Sequence, residues 1–228
     1  MQLDHEETLI IPAGRKELEA EWLIPVGARG LIIFAHESGS PHRLPRNARA
    51  GAALREFGFG TLMLDFLTPE EERQAALDTH PRFDVPLLAS RLGEVTDWIR
   101  GRRAASHLRL GYFGVGSGTA AALIAASRRP RVIEAIVSRG GRPDLARAAL
   151  DRVQAPTLLI VGGDDETVLE LNKDAYERIP SAKQLAIVPG ASHSFEEPGA
   201  LDHVARLAEG WFREHLSASP EPGALLRL

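Results

Sequence analysis

Cysteine is missing altogether from this chain. That removes disulfides, thiolate metal sites and any thiol nucleophile. No apolar run approaches the roughly 20 residues that a membrane-spanning helix needs. The opening, Met1 to Glu7, has no basic flank followed by an apolar stretch, so no signal peptide is expected and a cytoplasmic location is the default expectation. Charge of one sign is not in excess either: 27 basic against 31 acidic residues leave a formal −4. Such a balance gives no reason to expect nucleic acid or an anionic membrane as partner. His5, His36, His42, His107, His203 and His215 show no metal-ligand spacing, so no metal is expected. No internal repeat is visible.

What remains is an ordinary globular composition. With 228 residues, 44% apolar and 25% charged, the chain suits one domain with a large core. Residues 1–216 are read as that domain. The tail 217–228, with Pro220 and Pro222, is expected to be loose, although Leu225, Leu226 and Leu228 are able to dock.

Apolar segments at Thr8–Pro12 and Leu18–Ile24 flank Ala13-Gly14-Arg15 and predict an antiparallel hairpin. Gly30–Ala35 is a continuous apolar run, as in strands covered on both faces. A helix is expected over Pro45–Phe57, ended by Gly58, and a buried strand over Gly60–Asp65. Leu67–Arg82 is polar and reads as a short helix and loop over the sheet edge. Val85–Arg100 repeats Leu88, Leu92, Val95 and Ile99 at helical spacing. Strands are expected at Leu108–Phe113, Val132–Val137, Pro156–Val161 and Gln184–Val188. Helices are expected from Ser117, near Leu145–Leu150, over Val168–Arg178 and over Leu201–Leu216. The last of these should bury Val204, Ala205, Leu207 and Trp211 or Phe212. Strands alternating with helices after one hairpin imply a doubly wound, mainly parallel eight-stranded sheet. Ligands bind such sheets at the carboxyl ends of the strands, so the loops after Ala35, Phe113, Val161 and Val188 should meet in one crevice.

Gly114-Val115-Gly116-Ser117-Gly118 joins a strand directly to a small-residue helix. A strand–turn–helix built on Gly-x-nucleophile-x-Gly is the nucleophile elbow of α/β-hydrolases. The nucleophile slot holds Gly116, and Ser117 falls one residue late. Asp164 and Asp165 leave the strand ending at Val161, with Asp165 favoured at the loop apex. His193 follows the last strand. Singly, an aspartate after a strand is usually a helix cap, and a histidine in a Gly/Ser loop is commonly a surface residue. Together they fall at the ends of the right strands, in the order nucleophile, acid, histidine. His193 would then be the base and Asp165 its orienting partner.

These segments, with Phe34-Ala35-His36-Glu37-Ser38, Gly111-Tyr112-Phe113-Gly114, Val137-Ser138-Arg139-Gly140-Gly141 and Pro189-Gly190, resemble the dienelactone hydrolase family of the α/β-hydrolases over nearly the whole chain. The resemblance implies a cofactor-free single-domain hydrolase of small-molecule esters or lactones, with activated phosphoesters as a further class. It places Ser or Cys where this chain has Gly116. It gives Glu37 the place of a glutamate that activates a cysteine nucleophile; a solvated loop carboxylate is the plain alternative. The oxyanion donors would be the Ser117 and Ser38 N–H groups, each worth around 3 kcal/mol to the transition state. Arg139 and Arg142 are candidates for a substrate carboxylate, against the plainer role of surface charges. Arg73, His80 and Arg82 are candidate pocket residues.

Three readings of Gly116 follow. The chain is a family hydrolase with its nucleophile removed or its site repurposed, a non-catalytic relative that binds an ester or lactone, or a slow catalyst of direct water attack with His193 or Glu37 as base. The intact surroundings favour the first. Removing the nucleophile of a triad costs about a million-fold in turnover, so ordinary esterase activity should be strongly reduced.

Overall fold

Gly14, at φ +60°, reverses the chain between β1 (Leu3–Ala13) and β2 (Lys16–Pro25), which pair antiparallel. In β2 the inward positions Leu18, Ala20, Trp22 and Ile24 are buried while Glu17 and Glu19 face water. This period of two is what the hairpin pattern demanded. The computed structural model describes residues 3–37, 45–75 and 84–216. The tail 217–228, Ser38, His80 and Arg82 lie outside the described residues.

The wholly buried runs become the central strands β3 (Gly30–Ala35) and β4 (Gly60–Leu64). They are followed by β5 (Arg109–Val115), β6 (Ile133–Arg139), β7 (Thr157–Gly162) and β8 (Lys183–Val188). The eight strands run in the order β1-β2-β4-β3-β5-β6-β7-β8. Pairing is parallel from β4 through β8, and β2 meets β4 antiparallel.

Helices cover both faces. On one, α3 (Val85–Arg100) buries Leu88, Leu92, Val95 and Ile99, as its spacing predicts. Beside it lies α4 (Ser117–Ser127), whose run of alanines lets it pack close to the sheet. On the other face α1 (Pro45–Glu56) and α6 (Ala200–Leu216) sit over Phe34 and Phe113. The remaining α-helices among the described residues are α2 (Pro69–Ala75) and α5 (Glu166–Arg178).

Two expectations need correction. The buried face of α6 is Ala200, Val204, Ala208, Trp211, Phe212 and Leu216; Ala205 and Leu207 are only half-buried, at the margins of that stripe. The helix expected near Leu145–Leu150 is a 3₁₀ segment, Pro143–Arg152, broken where Arg147 adopts φ +50°. The Arg147 carbonyl accepts from Arg178 Nη2 at 3.0 Å, so a contact with α5 holds a kink that periodicity cannot show. No helix of the described residues is long and apolar enough to cross a membrane.

Candidate active site

One residue, Gly116, separates the end of β5 from the start of α4. Its φ +53° and ψ −127° lie in a region that costs other residues of order 1–3 kcal/mol. The turn is forced by its neighbours. A Cβ on Gly114 would stand 2.6 Å from Thr119 Cα, and one on Gly118 would run into the Ala35 carbonyl of β3. Strand and helix therefore cross with no side chain between them. The Gly116 carbonyl accepts from Thr119 N at 3.2 Å and Arg142 N at 2.9 Å. Ser117 opens α4, so its N–H belongs to the first turn, whose donors have no partner within the helix.

Asp165 leaves β7 and caps α5. Its Oδ1 accepts from Val168 N at 3.2 Å, and its Oδ2 stands 2.7 Å from His193 Nδ1. The cap and the orienting acid are thus one residue. Backbone bonds zip the two loops together: Gly163 N donates to Val188 O at 2.8 Å and Asp164 N to Ala191 O at 3.1 Å. A Cβ on Gly162 would overlap the Ala191 carbonyl. Phe195, buried and at φ +55°, pins the chain two residues beyond the histidine. Asp165 is 15% exposed and His193 54%, so the imidazole is backed by protein and open to a ligand.

Glu37, Arg46, Val115, Arg139, Gly140, His193 and Ser194 line one small cavity of about 60 Å³. The loops after β3, β5 and β8 meet there as expected, but the fourth wall comes from the end of β6 and not from the β7 loop, whose Asp165 reaches the site only through His193. Glu37 is no free loop carboxylate. A side chain built on Gly116 would collide at its Cβ with the Glu37 carboxyl group. Glutamate from the β3 loop occupies the space from which a residue at 116 would act.

Arg139 is only 3% exposed. Burial pushes its pKa down to about 10, the charge of Arg46 adds to that, and Glu37 opposes it. Its Nη2 is 3.5 Å from Asn47 Oδ1, and its Nη1 has no hydrogen-bond partner among the described residues. A buried guanidinium this poorly paired is costly, and it faces the cavity. By contrast Arg142 pairs with Asp144 at 2.8 Å. Arg73 is exposed on α2, donates to Pro69 O, and is not part of the cavity wall. Sequence reasoning missed Arg46, whose place depends on how α1 crosses the strand ends.

A turn of this geometry, with an imidazole–carboxylate pair beside it and a helix N-terminus beneath it, suits stabilising an oxyanion while a proton moves. Residues 25–217 match the Dienelactone hydrolase family. The chain belongs to that family. It is 48% identical to a dienelactone hydrolase from Anabaena variabilis, whose crystal structure superposes with a TM-score of 0.91 over 94% of this chain and 99% of that one. Est1E from Butyrivibrio proteoclasticus shares the fold at 15% identity, TM-score 0.74, over 91% and 98% of the two chains. Two Mycobacterium tuberculosis proteins, each named "Putative phosphoribosyl transferase", are 50% identical over 212 residues, 92% of this chain and 47% of theirs. The chain thus spans about half the length of these curated relatives.

Proposed function

We propose that this dienelactone hydrolase relative hydrolyses small esters or lactones, including activated phosphoesters, at the Gly116 turn. The observation that carries the reading is the 2.7 Å contact of His193 with Asp165, facing the same cavity as a turn held in elbow geometry. His193 moves the proton, Asp165 fixes its tautomer, and the Ser117 N–H, with Ser38 as second donor, receives the developing oxyanion. Arg139, with Arg46 beside it, favours a substrate with negative charge near the scissile bond. No cofactor is required by this chemistry. The mycobacterial proteins that carry a transferase name are about twice as long as this chain, so that name is not carried over to this site.

The test is turnover of p-nitrophenyl esters by the chain and by His193→Ala. Slow hydrolysis by the chain, reduced at least about tenfold in the variant, is expected. Equal rates, or none above buffer, would overturn the assignment. Tight ester binding that His193→Ala leaves untouched, without turnover, would return the chain to the ligand-binding alternative.

A further inference from the structure

We propose that the Glu37 carboxylate is itself the attacking group, standing in from another strand for the side chain that residue 116 lacks. The inference rests on the hydrolase reading above and names the atom that does its first step. Three observations meet at Glu37. Its carboxyl group lies where the Cβ of a residue at 116 would be, which is the origin of attack in elbow geometry. Its backbone follows two residues that are themselves held: Ala35 packs on Gly118, and the ring of His36, 2% exposed, stands 3.5 Å from Asp65 Oδ1. Its charge faces the buried, incompletely paired Arg139. A general base must stand one water away from the carbon it serves. A group already seated in the turn, one residue from Ser117, stands where an attacking side chain would be.

The step balances as follows. A Glu37 oxygen bonds to the acyl carbon of RCO–OR′, and the carbonyl electron pair moves onto oxygen beside the Ser117 N–H. Collapse breaks the C–OR′ bond, and R′O⁻ takes a proton from the His193 imidazolium held by Asp165. The product is a mixed anhydride on Glu37. Water then gives a proton to the neutral imidazole while its oxygen adds to the acyl carbon. The bond to Glu37 breaks, returning the carboxylate, the imidazolium and RCOOH. The sum is ester plus water to acid plus alcohol.

The anhydride is open to capture by hydroxylamine. Wild-type protein turning over p-nitrophenyl acetate in hydroxylamine should accumulate a hydroxamate at Glu37, read by peptide mass spectrometry and absent without ester. Glu37→Gln should lose at least about a hundredfold in turnover. Glu37→Asp, which keeps the charge but withdraws it from the turn, should lose activity without changing the thermal midpoint. His193-dependent turnover with Glu37 unmodified, or Glu37→Gln at the wild-type rate, would overturn the nucleophile while leaving the hydrolase. No turnover by the wild type would overturn both.

Discussion

Asp165 does two jobs with its two oxygens, and substitution separates them. Asparagine caps a helix about as well as aspartate, so Asp165→Asn should keep the bond to Val168 N and the urea midpoint of the parent. It removes the negative charge behind His193, and ester turnover should fall at least about tenfold, as expected when an imidazole loses its orienting acid. Asp165→Ala should lose the same activity and about 1 kcal/mol of stability with the cap. Rates and urea curves of the three proteins check both arms. Asp165 and His193 were legible in the sequence because each directly follows a strand, and chain order did the sorting. Glu37 was legible only as a candidate. That its carboxyl group fills the Gly116 turn depends on the packing of β3 against α4, which no spacing records. Arg139 was legible as a candidate beside its plainer reading as a surface charge; its burial next to Asn47 and Arg46 of α1 was not.

Among the elements, the closest approach that matters is β3 to α4. Gly118→Ala sets a methyl group against the Ala35 carbonyl, and a backbone atom cannot rotate aside as a side chain can. Strand and helix must part, at a cost of about 3 kcal/mol. Because Ala35 lies two residues before Glu37, turnover should fall with the urea midpoint. Gly210→Ala on α6 is the control. A Cβ there meets nothing within 4 Å, so alanine should stabilise by up to about 1 kcal/mol and leave turnover alone. A rise in midpoint for both variants would refute the crowding argument. The glycines of the turn announced this approach in the sequence, as Leu88, Leu92, Val95 and Ile99 announced α3. The broken 3₁₀ segment gave no such sign, since its kink is held from α5.

At the scale of the molecule, two cores on opposite faces of one sheet make alternating strands and helices readable as a fold. The acid response of that fold should come largely from one internal fork. Glu71 closes a capping box with Thr68, its Oε2 accepting from Thr68 N at 2.9 Å while Glu71 N donates to Thr68 Oγ1 at 3.3 Å. The same carboxylate takes both arms of Arg91 on α3 at 2.8 and 2.7 Å, and Arg91 also donates to Phe66 O at 2.6 Å. Arg91 is buried, so the pair ties α2 and the end of β4 to α3. The hydrogen bonds from Arg91 hold the Glu71 carboxyl well below its ordinary 4.5, at about 2. A depressed carboxylate stabilises the fold above its unfolded value, and that stability is lost as pH falls from about 4.5 through about 2. Asp97 is shifted the same way by Arg129 but is 53% exposed, so solvent screens its share. Glu71→Gln should therefore be weaker than the parent at pH 7 by on the order of 2 kcal/mol and lose less on acidification. Urea midpoints taken from pH 7 to pH 2 should converge at the acid end; parallel curves would place the acid sensitivity of the fold elsewhere.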